Sequence, residues 1–486
     1  MQLNLFDPTS EPILMDSIKF GTSGWRAILA EDFTVKNIRI VSQGIAQYLR
    51  QQKIGQQGIL IGYDARFLGE HFAKVVAEVM AAHGIPCLLC DRDTPTPTIS
   101  YHVIHRKLAG GINISASHNP PEWNGIKFTP DWGGPALPET TKAIELRILP
   151  LLDGEHLKWS TWEHAQRDGM VRYFDPQPDY LKALEHLVDR DRIRNGRIRI
   201  IFDPLFGTTR NYLDEFLREA GAKMAVLHHW RDPYFGGFRP EPTDETLQEL
   251  KATVCREGAH LGLATDGDGD RFGVVDADGT FIQANYVLAI LLDYLIKSRQ
   301  WTGAVARSVA TTHLIDAVAA HHGLTVHETP VGFKFIGELL AKGEIVFGGE
   351  ESAGLSIKGH VPEKDGILAG ALVAEMVAFT GKTIQDLLKD LFDRVGVLYA
   401  SRQDLTINES MQEQVKQIID HPPTTFASTE VTQVNKLDGC KLILSDGGWY
   451  LIRPSGTEPI VRCYGEANTS ARLEEIMLAG RQLLKK

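Results

Sequence analysis

Gly58-Ile59-Leu60-Ile61-Gly62-Tyr63, stopped by Asp64-Ala65-Arg66, is an apolar run with a polar end, and the residues after it decide the fold. Phe72, Val75, Val76, Val79 and Met80 recur at helical spacing, so a strand period gives way to a helix period. Gly84 stops the helix, and Ile85 to Cys90 resumes as strand. The same script returns twice. Ile198 to Phe202 leads into Asp203-Pro204, Leu213, Phe216, Leu217 and Ala220 make the helical face, and Gly221 precedes Ala225 to Leu227. Val305 to Ala310 is followed by Leu314, Ile315 and Val318, then by Gly323 and Leu324 to Val326. Such alternation predicts α/β domains with mainly parallel sheets, whose ligands gather at the carboxyl ends of the strands.

Each copy continues to a third strand with a loop rich in functional groups. These loops are Ser115-Ala116-Ser117-His118-Asn119-Pro120, Asp266-Gly267-Asp268-Gly269-Asp270-Arg271 and Gly348-Gly349-Glu350-Glu351-Ser352-Ala353-Gly354. Equivalent loops carrying different chemistry predict three domains facing one cleft. Beyond about residue 395 the pattern changes to a hairpin, Lys441 to Leu444 and Trp449 to Arg453 around Asp446-Gly447, with a helix from about Ala471. The expected organisation is therefore α/β domains over residues 1–170, 171–279 and 280–394, then a smaller α+β domain over 395–486.

Composition fits that modularity. The 486 residues call for three or four cores at roughly 150 residues per domain. Hydrophobic residues at 43% and charged residues at 23% are those of a soluble globular protein. With 51 Lys+Arg against 62 Asp+Glu the net charge is -11, which argues against nucleic acid and acidic membrane surfaces as partners. Met1 to Asp16 lacks Lys and Arg, unlike a secretion signal, and the apolar run Val287 to Leu292 is cut by Asp293. A cytoplasmic protein is expected. The five cysteines form no disulfide framework, and with no second pair Cys87-x-x-Cys90 reads as buried strand thiols.

Asp266, Asp268 and Asp270 alternate with glycines, so three carboxylates can turn inward on one loop and hold a hard cation such as Mg2+. A calcium EF-hand would need Gly and Glu where Arg271 and Ala277 stand, and a dinucleotide loop would not place Asp against a pyrophosphate. Ser117 lacks the flanking glycines of an esterase nucleophile, since Ser115 and Asn119 occupy those places. A phosphorylated Ser117 would instead add an anionic oxygen to the three aspartates, which links the first loop to the second. Arg453-Pro454-Ser455-Gly456-Thr457-Glu458-Pro459 offers a guanidinium, hydroxyls and backbone N–H groups, suited to a phosphate. Glu350 and Ser352 suit sugar hydroxyls.

Together these loops resemble the α-D-phosphohexomutase superfamily, the phosphoglucomutase and phosphomannomutase group. Phe20-Gly21-Thr22-Ser23-Gly24-Trp25-Arg26, the Ser117 loop, the Asp266 to Arg271 loop, Gly349-Glu350-Glu351-Ser352 and the Arg453 to Pro459 loop occur in the family order. The resemblance implies a four-domain enzyme in which phosphoserine at Ser117 passes its phosphoryl group to a hexose phosphate and recovers the other phosphate from the bisphosphate. It implies Mg2+ on Ser117, Asp266, Asp268 and Asp270, with a sugar bisphosphate as activator or donor. Arg26, His118, Lys127 and Arg271 match positions lining the family's reaction centre, while Arg453, Ser455, Gly456 and Thr457 would hold the non-reacting phosphate.

Glu363-Lys364-Asp365-Gly366 and the segment Thr329-Pro330-Val331-Gly332-Phe333-Lys334 resemble the phosphoglucomutase branch, with Thr329 and Gly332 on the substrate side and Lys364 in proton transfer. That last role calls for a lowered lysine pKa. The resemblance thus implies interconversion of glucose 1-phosphate and glucose 6-phosphate. The alternatives are a glucose-1,6-bisphosphate synthase using the same site, a phosphomannomutase, and a non-catalytic sugar-phosphate sensor. Oligomeric state is open.

Overall fold

Three mixed sheets and one antiparallel sheet follow each other along the chain. The computed structural model describes residues 18–21, 24–406, 408–454 and 460–484. The first sheet contains β1 (Trp25–Ile28), β2 (Ile59–Tyr63), β3 (Cys87–Cys90), β4 (Gly110–Ile114), β5 (Trp123–Pro130) and β6 (Val171–Phe174), in the order β1-β5-β4-β2-β3-β6. The second has β7 (Arg199–Asp203), β8 (Lys223–Val226), β9 (Leu261–Thr265), β10 (Phe272–Asp276) and β11 (Phe281–Ile282), in the order β11-β10-β9-β7-β8. The third has β12 (Ala304–Ser308), β13 (Thr325–Thr329), β14 (Phe347–Glu350) and β15 (Gly354–Ile357), in the order β13-β12-β14-β15.

The repeat read from the sequence is a repeat of topology. In each sheet the first strand of the copy lies between the second and the third, all three parallel: β3-β2-β4, β8-β7-β9 and β13-β12-β14. Each third strand then turns back into an antiparallel neighbour, β5, β10 or β15. The functional loops are those reversals, at the carboxyl ends of the parallel strands.

Packing explains why the copies fold locally. The helix Gly69–Ala82 buries Phe72, Val75, Val76, Val79 and Met80, the face marked by its periodicity. Each such side chain contributes about 1.5–3 kcal/mol on full burial. Gly84 takes a φ of 74° beyond the helix end, a left-handed conformation that costs glycine little. The second and third sheets share one core, crossed by the helix Gly366–Thr380, which is apolar almost all round. Its buried Glu375 is met by Arg299 at 2.7 Å, Tyr294 Oη at 2.6 Å and the Asp189 N–H at 2.7 Å.

The fourth sheet, β16 (Tyr399–Thr406), β17 (Thr425–Phe426), β18 (Thr429–Asn435), β19 (Cys440–Leu444), β20 (Trp449–Pro454) and β21 (Ile460–Ala467), is antiparallel and carries the helix Ser470–Leu483. It docks on the third unit through an apolar cluster of Val309, Ala310, Trp449, Leu451 and Tyr464 and through buried polar groups. Buried Lys441 Nζ donates to Val309 O at 2.8 Å and Glu328 Oε1 at 3.1 Å, and Glu466 accepts from Trp449 Nε1 at 2.8 Å and the His313 N–H at 3.0 Å.

One boundary differs from expectation. β6, assigned by the break at residue 170 to the second unit, pairs with β3 in parallel, so the first sheet extends to Phe174. The pattern Val171-Arg172-Tyr173-Phe174 alternates too briefly to declare its sheet. Cys87 and Cys90 are free thiols buried in β3, and burial pushes both pKa values up, that of Cys90 to about 12. Among the described residues no single helix is long and apolar enough to cross a membrane.

Candidate active site

The reversal after β4 places Ser117 in the left-handed region, with φ 51°. That conformation costs a non-glycine residue about 1–2 kcal/mol, and the surroundings hold it there. The Ser117 N–H donates to Ser115 Oγ at 2.9 Å, and the Ser117 carbonyl accepts from Arg66 Nη2 at 2.7 Å. Arg66 also donates to Asn119 O at 2.6 Å, Pro120 O at 2.7 Å and Trp123 O at 2.9 Å, while Asp64 holds its Nε at 3.1 Å. One fully buried guanidinium therefore shapes the whole loop.

The reversal after β9 brings the aspartates against it. Ser117 Oγ donates to Asp266 Oδ2 at 2.7 Å, and Asp266 Oδ1 accepts the Arg271 N–H at 3.0 Å. Asp268 Oδ2 accepts from Lys127 Nζ at 2.5 Å, Thr96 Oγ1 at 2.6 Å and Ser115 Oγ at 3.1 Å. Asp270 Oδ2 accepts from Lys127 Nζ at 3.0 Å and pairs with Lys364 Nζ at 2.7 Å. The loop backbone is pinned as well, by the Thr96 N–H on Asp268 O at 2.9 Å and the Gly366 N–H on Gly269 O at 3.0 Å.

This arrangement suits a hard cation. The three buried carboxylates each offer an oxygen within 4.8 Å of the others. Asp268 Oδ1 and Asp270 Oδ1 are buried without a hydrogen-bond partner in the protein, which is costly for a carboxylate unless something else binds it. Without a cation the charges are shared unevenly. Burial, then Asp270 and Asp268, push Asp266 well above the carboxylate range, whereas for Asp268 the nearby Lys127 overcomes burial and pulls it down.

Around this centre, His118 Nδ1 lies 3.3 Å from Ser117 Oγ, and burial followed by Arg271, Arg26, Arg239 and Lys127 keeps the imidazole neutral. Arg26 Nη1 donates to Asn119 Oδ1 at 2.6 Å, and Arg271 Nη1 to Glu241 Oε1 at 2.9 Å. Lys364 departs from expectation. Burial alone would lower its pKa, but Asp270 and Glu363 outweigh burial and raise it, so the group rests as an ammonium.

The third reversal contributes Glu350, whose Oε1 accepts the Gly332 N–H at 2.7 Å. Gly332 has a φ of 128° and opens the helix Phe333–Ala341, a backbone angle that excludes other residues. Burial, with Glu351 next to it, pushes Glu350 up to about 7. Thr329 is buried, with Oγ1 turned to Pro330 O at 3.0 Å, and Ser352 lies half-buried in the turn. Glu351 turns away to Ser308 Oγ at 2.9 Å and Thr311 Oγ1 at 3.1 Å. From the fourth sheet Arg453 Nε donates to Asp438 Oδ2 at 2.8 Å, and the same oxygen accepts the Val331 N–H at 3.0 Å. Ser455, Gly456 and Thr457 lie outside the described residues.

Thus Ser117, His118, Lys127, Lys364, Arg271 and the three aspartates meet in one place, with Glu350 and Gly332 paired on the third sheet. Arg66, Thr96 and Asp438 are site residues that the sequence reading does not assign, and Ser115 enters it only as part of the Ser117 loop. Arg66 had a signal in the polar stop of β2, at the carboxyl end of a parallel strand. Asp438 had one in the hairpin, whose register brings it beside Arg453, but its other partner, Val331, is distant in sequence.

Comparison with known proteins agrees with this geometry. The chain matches phosphoglucomutase/phosphomannomutase alpha/beta/alpha domain I over residues 17–150, domain II over 178–279, domain III over 283–395 and the C-terminal domain over 424–480. A phosphoglucomutase of Komagataeibacter xylinus is 31% identical, over 94% of this chain and 89% of its own. A candidate phosphoglucosamine mutase of Pyrococcus abyssi is also 31% identical, over 96% and 97%. The crystal structure of a candidate phosphomannomutase from Thermus thermophilus has a TM-score of 0.83 and 30% identity, covering 97% of this chain and 99% of that one. These relatives carry the names of three different sugars and share one chemistry. With four domain matches in order and relatives aligned over nearly its whole length, the chain belongs to the phosphoglucomutase/phosphomannomutase family, whose members are intramolecular phosphotransferases acting on hexose phosphates.

Proposed function

We propose that the chain interconverts glucose 1-phosphate and glucose 6-phosphate through a phosphoserine at Ser117 and a glucose 1,6-bisphosphate intermediate. The observation that carries this reading is the 2.7 Å hydrogen bond from Ser117 Oγ to Asp266, which joins a nucleophile loop to a metal-ligand loop from another sheet. Asp266, Asp268 and Asp270, with a phosphate oxygen on Ser117, would hold Mg2+. Bound there, it would neutralise charge on the transferring phosphoryl group.

In the first half-reaction the bond from phosphorus to Ser117 Oγ breaks as a bond to a sugar hydroxyl oxygen forms. The hydroxyl proton leaves the sugar, and Ser117 Oγ gains one. Neutral His118, 3.3 Å from Ser117 Oγ, can take the proton and return it to that oxygen, while Lys364, held as an ammonium by Asp270 and Glu363, adds positive charge beside the phosphate. Lys127, Arg271 and Arg26 offset the phosphate charge, and most of the catalysis is positioning and neutralisation. Arg453 would bind the resting phosphate and Glu350 with Ser352 the sugar hydroxyls. The bisphosphate then turns round and returns its other phosphoryl group to Ser117.

Product analysis tests this. Glucose 1-phosphate with Mg2+ and a catalytic amount of glucose 1,6-bisphosphate should yield glucose 6-phosphate, and Ser117→Ala should abolish the reaction in a folded protein. Accumulation of glucose 1,6-bisphosphate from glucose 1-phosphate when stoichiometric fructose 1,6-bisphosphate is the phosphoryl donor, without isomerisation, would replace the mutase by a synthase.

A further inference from the structure

Lys364 is followed in the chain by a buried carboxylate, Asp365, that touches none of the three aspartates. Asp365 is fully buried, and both of its carboxylate oxygens are engaged by fixed partners. Its Oδ1 accepts the Ile367 N–H at 2.8 Å and the Leu368 N–H at 2.9 Å, capping the helix Gly366–Thr380. Its Oδ2 accepts from Tyr180 Oη at 2.5 Å and lies 2.7 Å from His360 Nε2. Tyr180 has no exposed surface and stands on the helix Gln177–Leu184, at the start of the second unit, with its ring against Tyr101 and Tyr212.

The cap ties Oδ1 to the start of the helix, and Tyr180 and His360, approaching Oδ2 from separate elements, brace the same carboxylate from its other side. The residue before Asp365 then reaches Asp270 with its side chain, and the residue after it is tied to the metal-ligand loop by the Gly366 N–H on Gly269 O. We infer that Tyr180 and His360, acting through Asp365, are positioning residues that hold the Lys364 ammonium on Asp270 for the phosphoryl-transfer step. The inference rests on the phosphoserine reaction proposed above and adds to it a contribution from the second unit's first helix.

A double-mutant cycle tests it in the full-length enzyme. Tyr180→Phe keeps the ring and removes the hydroxyl, and it is made in the native chain and in a Lys364→Met chain. In the native background kcat for glucose 6-phosphate formation should fall about tenfold with KM within about twofold, because a small misplacement of a charged group costs rate more than binding. With Lys364 gone the same change should alter kcat by less than about twofold, since residues acting as a unit are not additive. His360→Asn, on the same carboxylate oxygen, should reproduce the pattern and serves if Tyr180→Phe folds poorly. Equal losses in both backgrounds, with Lys364→Met itself impaired, would overturn the inference while leaving the proposed reaction standing. Full turnover in Lys364→Met would overturn both the inference and the role given to Lys364.

Discussion

Ser117 Oγ and Asp266 Oδ2 stand 2.7 Å apart although 149 residues separate them in the chain. Neither loop makes the contact alone. Ser117 is held left-handed by Arg66 and Ser115, and the Asp266 loop is held by Thr96 from the first unit and Gly366 from the third. The proposed reaction centre thus depends on packing three similar units: the first two deliver the reversals after β4 and β9, and the third adds the segment at Gly366.

The aspartate cluster should behave as a cation site before any substrate is added. Mg2+ at a hundred times its dissociation constant should stabilise the native enzyme by about 2.7 kcal/mol, visible as a raised thermal midpoint that a chelator reverses. Asp268→Asn should lose most of that rise, because it removes charge from one of the two carboxylates of the cluster that have an unpartnered buried oxygen.

Arg66 should be intolerant of change. Arg66→Ala removes the guanidinium that serves the carbonyls of residues 117, 119, 120 and 123 and leaves the buried Asp64 carboxylate without its cationic partner. A loss of about 3–5 kcal/mol is expected in urea unfolding, on the scale of breaking a buried ion pair. Arg66→Lys keeps the charge but not the fork, so uptake of phosphate at Ser117 should fall at least about tenfold even where the protein folds.

Gly366 allows the third unit to touch the Asp266 to Arg271 loop. A Cβ there would stand 2.2 Å from Arg271 O, too close for any rotamer to relieve. Gly366→Ala should therefore weaken the Mg2+-dependent rise in thermal midpoint as well as lower stability, because the backbone that must move carries Asp270 and Arg271.

Glu350 gives a pH dependence with a definite sign. Its pKa is raised from 4.5 when unfolded to about 7 in the folded protein. Between those values the folded state binds the proton more tightly, so this contribution is full below pH 4.5 and is lost as pH rises through 7. In the absence of metal and substrate, wild type should lose about 3 kcal/mol relative to Glu350→Gln across that window. Parallel stability curves for the two proteins would show that Glu350 keeps an ordinary pKa.

What could be read from residues alone follows from how local each signal is. The strand-helix-strand copies declared themselves because Phe72, Val75, Val76, Val79 and Met80 face one core side of a single helix. The three functional loops stood out because each is contiguous. β6 was missed because four residues carry almost no period, and its partner β3 is distant in sequence. The environment of Lys364 was also illegible. Burial lowers a lysine pKa, and only the packed structure shows that Asp270 and Glu363 outweigh it. The carbonyls that Arg66 binds and the Val331 N–H on Asp438 join segments far apart in the chain, and no spacing records those contacts.

The most direct measurement is the phosphorylation state of Ser117. After incubation with glucose 1,6-bisphosphate and Mg2+, intact mass and peptide mapping should find one added phosphoryl group on the peptide containing Ser117, discharged by glucose 1-phosphate or glucose 6-phosphate and absent from Ser117→Ala. A phosphoryl group on another residue, or full turnover in Ser117→Ala, would contradict transfer through this serine.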